Sequence, residues 1–279
     1  MRQLNYKLIV SDFDGTLLTS DNKIPQRVRA AINEYVACGG IFAVCTGRML
    51  RSILPRVREL GLKGLVAAYQ GTVIADIESG KIIKGGGMSC AQSAEVCRCI
   101  EGLGRAFNIY CGDTLYTSIE RDNKYLKLYE KITGVEANCV SEGPLSDFVL
   151  SRKLCCHKAA VLVMPAERDA VYQELSKRLG DRYDVTCSAE VLVEVSPLGE
   201  TKGEALKYMA NRFGISLDNT VAVGDNLNDL PMIKAAGVGV AVGNADKRLK
   251  DAADHVTVTN NECAVAEIIE EYGFKQYYV

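Results

Sequence analysis

Residues 8–21 read LIVSDFDGTLLTSD. The apolar run Leu8–Val10 passes through Ser11 into two carboxylates, Asp12 and Asp14, one residue apart, and then into Gly15-Thr16. A short continuous apolar run that ends in turn residues predicts a strand buried on both faces. Ligands of open parallel sheets bind beyond the carboxyl ends of the strands, so the acid pair would stand at such a place. In extended chain, residues two apart point to the same side. The spacing therefore offers two carboxyl groups to one ligand.

Outward from this stretch the chain alternates. Residues 25–40, PQRVRAAINEYVACGG, predict a helix with Pro25 as its first residue, Val28, Ile32 and Tyr35–Val36 on one face, and Gly39-Gly40 at its end. Residues 41–45 (IFAVC) and 64–69 (GLVAAY) predict further strands, and Pro55 kinks or delays the helix between them. After residue 190 the rhythm returns. KGEALKYMANRFG, DLPMIKAAG, ADKRLKDAAD and ECAVAEIIEEYG read as helices, and TVAVGD, GVAVG and HVTVT as strands. Strands alternating with helices predict an α/β fold, a doubly wound parallel sheet covered on both faces.

The middle differs. Three glycines, Gly85–Gly87, break the pattern, and a helix-like stretch runs on to about Phe107. NIYCGDTLYTS predicts a hairpin around Gly112-Asp113, followed by a helix over 120–132. HKAAVLVMP reads as a strand, 166–179 as a helix, and YDVTCS with VLVEVSP as paired strands. These predict an α+β domain over 85–190, inserted into a core made of 1–84 and 191–279.

The 279 residues are 48% apolar and 24% charged, enough for a substantial core, and the formal net charge of −2 gives no nucleic-acid surface. No run approaches the roughly 18 apolar residues of a membrane span, and the N-terminal stretch leads into acids, unlike a secretory signal. The expectation is a cytoplasmic protein that engages neither nucleic acid nor membrane, as a monomer or weak homodimer. Eleven cysteines, an odd number without C-x-x-C spacing, read as reduced thiols and neither as a disulfide framework nor as a zinc site.

Three strands end in polar clusters: Asp12-Phe13-Asp14-Gly15-Thr16, Thr46-Gly47-Arg48, and Asp225-Asn226-Leu227-Asn228-Asp229. SPLGETKGEAL brings Lys202 to a helix start. If the strands are neighbours, three carboxylates, a hydroxyl and an ammonium converge. Clustered carboxylates repel, and a hard divalent cation such as Mg²⁺, usually shared with a phosphate, relieves that conflict. Lys202, Thr46 and backbone N–H groups suit phosphate oxygens. An Asp can serve as nucleophile, and a second carboxyl beside it as acid/base.

D-F-D-G-T-L (Asp12–Leu17), T-G-R (Thr46–Arg48), P-x-G-x-x-K-G (Pro197–Gly203) and G-D-x-x-N-D-x-x-M (Gly224–Met232), in this order, resemble the four motifs of the haloacid dehalogenase-like phosphatases. The insert between the second and third motifs resembles the cap of the Cof-type subgroup. The resemblance implies a Mg²⁺-dependent phosphohydrolase for a small phosphorylated substrate, such as a sugar phosphate, acting through an aspartyl-phosphate. It implies Asp12 as nucleophile and metal ligand, and Asp14 as acid/base that lends its backbone carbonyl to the metal. Asp225 would be the third metal ligand. Phe13 through its backbone, Thr46, Gly47, Lys202 and Asn228 would hold phosphate, and Asp229 would support Lys202 or the metal's waters. One departure is Gln70-Gly71, where many relatives carry Asn-Gly.

Arg48 reads equally as a structural residue, and His157 and His255 as structural. Lys158, Tyr110, Tyr116 and Tyr125 of the insert are expected to pack rather than to face substrate. Two other functions fit parts of the pattern. A phosphomutase shares the fold and the first chemical step. A receiver-type signalling module has clustered acids and a lysine, but needs neither a cap nor an acid two residues past the phosphoaccepting Asp.

Overall fold

The computed structural model describes residues 2–189 and 191–275. The first half of the core runs β1 (Leu8–Ser11), α1 (Gln26–Ala37), β2 (Ile41–Cys45), α2 (Leu50–Glu59), β3 (Leu65–Ala68), β4 (Val73–Asp76) and β5 (Ile82–Lys84). The middle segment follows as α3 (Cys90–Glu101), β6 (Phe107–Cys111), β7 (Thr114–Thr117), α4 (Lys124–Thr133), β8 (Ala137–Cys139), α5 (Leu145–Arg152), β9 (Lys158–Leu162), α6 (Arg168–Leu179), β10 (Tyr183–Ala189) and β11 (Leu192–Pro197). The core then resumes with α7 (Lys202–Arg212), β12 (Thr220–Gly224), α8 (Leu230–Ala235), β13 (Val238–Ala241), α9 (Lys247–Lys250), β14 (His255–Val256) and α10 (Ala264–Ile268).

One sheet has the order β14-β13-β12-β1-β2-β3-β4-β5. Its pairings from β14 to β3 are parallel, and β4 and β5 join antiparallel at one edge. The central parallel strands β1, β2, β3 and β12 are almost wholly buried, which is why they read as unbroken apolar runs. β1 lies between β2 and β12, and chain order departs in opposite directions on its two sides. The crevice at the carboxyl ends of β1 and β12 is the switch point where such sheets bind ligands.

Local sequence accounts for the helices that cover this sheet. α1 buries Val28, Ala31, Ile32 and Tyr35, spaced i, i+3, i+4, i+7, and the chain leaves it through Gly39 at φ +91°. Pro25 is the residue before the helix, one position earlier than expected. α2 begins at Leu50 and continues through Pro55, so that proline does not delay its start. α7 is capped by Thr201, whose side chain accepts from the Glu204 amide, and it buries Leu206 and Met209. Each such side chain contributes roughly 1.5–3 kcal/mol of burial.

The second sheet has the order β10-β11-β9-β6-β7-β8. The architecture is thus an α/β parallel-sheet core with an inserted α+β cap. Further details differ from the sequence expectation. The β4–β5 hairpin is not among the expected elements, because strands of four and three residues lack the longer apolar run of the others. The helix expected to reach Phe107 ends at Glu101, and Phe107 opens β6. The boundary at 190 falls between the two strands of the β10–β11 hairpin. We propose 85–197 as the insert, since β11 pairs on both sides within the second sheet. The two connections lie side by side, tied by the Lys84–Glu200 ion pair at 2.7 Å.

Candidate active site

Asp12 follows β1 directly, and its amide continues the ladder to the Val223 carbonyl of β12. Asp225 follows β12, one strand away. Between them the chain makes a tight turn over 13–17 in which Gly15 has φ +75°. A Cβ there would lie 2.6 Å from an Asp225 carboxylate oxygen, so glycine is required both for the backbone and for the approach. Thr16 donates its hydroxyl to Asp225 Oδ1 at 2.9 Å.

Lys202, the first residue of α7, is fully buried, with its ammonium 2.5 Å from Asp12 Oδ1 and 2.5 Å from Asp229 Oδ1. A cation at a helix N-terminus opposes the helix dipole, so the two carboxylates must hold it there. Burial alone would lower the pKa of this lysine, but Asp12 and Asp229 more than offset that and raise it. The other Asp229 oxygen accepts the Asp225 and Asn226 amides at 2.9 and 3.0 Å. Asp229 is therefore committed to structure.

The pKa of Asp12 is raised well above its ordinary value, first by burial; Lys202 opposes this, while Asp229, Asp225 and Asp14 add to it. Asp225 is pushed up to about 7, first by burial and then by Asp229. Asp12, Asp225 and Asp229 bring carboxylate oxygens within 4.8 Å of one another. Burial and neighbouring carboxylates both oppose the charge on these acids, a conflict that a divalent cation would relieve. With Asp229 committed, Asp12 and Asp225 are the side chains left to hold one.

Asp14 is half exposed and receives two hydrogen bonds from Arg48, Nε at 2.7 Å and a terminal nitrogen at 2.6 Å. Burial works against the Arg48 charge, and Asp14 more than restores it. Arg48, which the sequence left open between site and scaffold, thus belongs to the site. Its guanidinium also lies 5.2 Å from the Phe13 ring centroid. Thr46 Oγ1 accepts the Arg48 amide at 3.2 Å.

Asp12, Asp14, Thr46 and Arg48 line one cavity of about 300 Å³ between the two sheets. Asp12, Asp14, Thr46, Gly47, Arg48, Gln70 and Asn228 form its core side, and Tyr129, Lys158, Leu192 and Glu194 its cap side. Lys158 was expected to pack; instead it donates to the Gly47 carbonyl at 2.8 Å and pairs with Glu194, both groups being buried. Glu194 was not singled out at all. The available signal was a single charge in each of two apolar runs, KAAVL and LVEVSP, on one face of paired strands, since Glu194 lies opposite Ala160 and Lys158 precedes it by two.

Tyr110 is buried and Tyr116 packs on Phe148, as expected for packing residues. The side chain of Tyr125 lies outside the described residues. His157 Nδ1 meets the Gly86 carbonyl at 2.8 Å, a structural contact at the first connection.

The family model for haloacid dehalogenase-like hydrolases matches residues 9–269. The chain is 27% identical over 271 residues to the 5-amino-6-(5-phospho-D-ribitylamino)uracil phosphatase YcsE of Bacillus subtilis, covering 96% of each. A haloacid dehalogenase-like hydrolase structure from B. subtilis superposes with a TM-score of 0.84 at 25% identity, over 95% of this chain and 99% of that one. The subclass IIB sugar phosphatase BT4131 gives 0.79 at 19% identity over 95% and 98%, a likeness that bears on the fold alone. The chain belongs to the haloacid dehalogenase-like hydrolases. Within that family it is an enzyme of the Cof-type phosphatases, with the cap inserted between the second and third motifs. No helix among the described residues is long and apolar enough to cross a membrane.

Proposed function

We propose that the chain is a Mg²⁺-dependent phosphohydrolase of small phosphorylated metabolites, working through an aspartyl-phosphate on Asp12. The observation that carries this reading is the placement of Asp12 against the Lys202 ammonium, in the one cavity that Asp14 also lines. Asp12 and Asp225, with the Asp14 backbone carbonyl, would hold Mg²⁺. When bound, the ion would neutralise the acid cluster and polarise a phosphoryl oxygen. Lys202, Thr46 and the backbone amides of Phe13 and Gly47 would hold the remaining phosphoryl oxygens.

An Asp12 oxygen attacks phosphorus as the bond to the ester oxygen breaks, and Asp14 delivers a proton to that leaving oxygen. Asp14 then takes a proton from water, whose oxygen attacks the aspartyl-phosphate and frees Asp12 and inorganic phosphate. Two charge-assisted bonds from Arg48 fix the direction of the Asp14 carboxylate, so Arg48 acts as a positioning residue. The modest size of the cavity favours a small ester, a sugar phosphate or a ring-bearing phosphate like the one named for the YcsE relative. The test is to incubate the protein with Mg²⁺ and a panel of phosphorylated metabolites and to assay free phosphate. Phosphate returned to the substrate, with none released, would mark a phosphomutase instead.

A further inference from the structure

A buried relay joins the cap to the pocket. Lys158 occupies one oxygen of Glu194, and the other accepts from Gln70 Nε2 at 2.5 Å. Gln70 Oε1 then accepts from Asn228 Nδ2 at 2.9 Å. All four residues are at least nine-tenths buried, and Asn228 Oδ1 is a buried oxygen with no hydrogen-bond partner in a residue that lines the cavity. Tyr69 and Gln70 sit at φ +52° and +61°, an unfavourable conformation for two side-chain-bearing residues in succession. Their amides are pinned to the Arg48 and Thr46 carbonyls at 2.9 and 3.0 Å, so the Gln70 side chain is aimed and not adrift.

The direction of this relay is not free. A carboxylate paired with an ammonium has only acceptors to offer, so Gln70 must turn its NH₂ to Glu194. That turns its carbonyl to Asn228, which must answer with its own NH₂. The amide oxygen of Asn228 is what remains without a partner, in a residue that lines the pocket. We propose that Asn228 presents a hydrogen-bond acceptor to the ligand, imposed from the cap by Glu194 through Gln70, and contacts a donor, a ligand hydroxyl or a bound water. Its NH₂ is already engaged by Gln70, so the unpartnered group is an acceptor and not the phosphate donor that the motif resemblance implies. This inference rests on the proposed reading of the cavity as a phosphate site. An asparagine at position 70, one methylene shorter, would not span the same gap, so the relay is tied to the departure at that position.

The test uses inorganic phosphate as probe, titrated calorimetrically into the Mg²⁺-loaded full chain. Asn228→Ala removes an acceptor that at most meets the P–OH of hydrogen phosphate or a water, so phosphate affinity falls by no more than about threefold; a loss of roughly tenfold or more, the worth of a charge-assisted bond, would overturn the proposal. Glu194→Gln reverses the relay. Lys158 keeps the amide oxygen, so the new NH₂ faces Gln70, Gln70 turns its NH₂ to Asn228, and Asn228 turns its NH₂ to the pocket. Phosphate then binds roughly tenfold tighter, and the gain disappears when Asn228→Ala is added. An unchanged or weaker affinity in a Glu194→Gln protein whose melting is still cooperative would overturn the proposal. Adding a hydroxylated and a hydroxyl-free phosphate ester to the Asn228→Ala comparison separates a ligand hydroxyl from water as the donor. Wild-type protein that binds no phosphate sinks this inference together with the functional reading. Intact binding without ester hydrolysis sinks only the reaction assignment.

Discussion

The Lys202 ammonium lies 2.5 Å from Asp12 Oδ1 in a place without solvent, and it shares itself equally with Asp229. A charge buried this way holds its partners as much as they hold it. Lys202→Met would strand two carboxylates in the interior, and losing one member of a buried ion network costs about 3–5 kcal/mol. Urea denaturation should register that loss, and it should shrink in Lys202→Met/Asp229→Asn, where one stranded charge is removed. Equal midpoints for wild type and Lys202→Met would contradict the network.

Asp12→Asn tests the nucleophile. The amide oxygen can still accept from Lys202, so the fold should persist, but an amide attacks phosphorus poorly and binds a hard cation weakly. Phosphate release should vanish while the melting curve stays cooperative. Turnover at the wild-type rate in a metal-replete preparation would rule out the aspartyl-phosphate.

Asp14→Asn separates acid/base work from metal holding. The backbone carbonyl is untouched, so Mg²⁺ affinity should change little while turnover falls by roughly 10²–10⁴-fold. The expected loss is greatest for esters with poor leaving groups, which depend most on protonation. A variant that loses Mg²⁺ binding without any separate loss of turnover would refute the assignment.

Metal dependence follows from the acid cluster. Excess chelator should abolish activity and Mg²⁺ restore it, whereas Ca²⁺, with longer and looser coordination, should occupy the site and inhibit. Full activity in chelator would exclude the metal-assisted reading.

His157 gives a pH prediction away from the chemistry. Burial lowers its pKa below the ordinary 6.5, partly offset by the Gly86 carbonyl it meets. The folded protein thus resists a proton that the unfolded chain accepts. This residue's contribution is complete above the unfolded value and is lost as pH falls through the window below it. Between about pH 7.5 and pH 5 the wild type should lose stability more steeply than His157→Phe, which keeps a ring on Tyr69 but cannot titrate. Parallel stability-versus-pH curves for the two proteins would show that His157 does not contribute.

How much of this was legible in advance can be seen residue by residue. Leu8–Val10, Ile41–Cys45 and Val221–Val223 announced themselves as strands because both faces are covered, so every position is apolar. Polar residues placed directly after such runs must emerge at the carboxyl edge, which made Asp12, Asp14, Thr46 and Asp225 candidates before any coordinates. The hairpin β4–β5 and the strand β8 were missed because strands of three and four residues carry too little pattern to distinguish them from loop.

The sequence by itself determined the layered core, the insert and the strand-end acids, since each rests on local pattern: burial periodicity, turn residues and spacing of one or two positions. The tertiary structure alone decided that Lys158 and Glu194 come down from the cap onto Gly47 and Gln70, contacts that span 111 and 124 residues. It alone decided that Arg48 clamps Asp14. It also set the sense of the Glu194–Gln70–Asn228 relay. A hydrogen bond's direction depends on what its neighbour has already committed, and in this pocket the neighbours come from separate parts of the chain that only packing brings together.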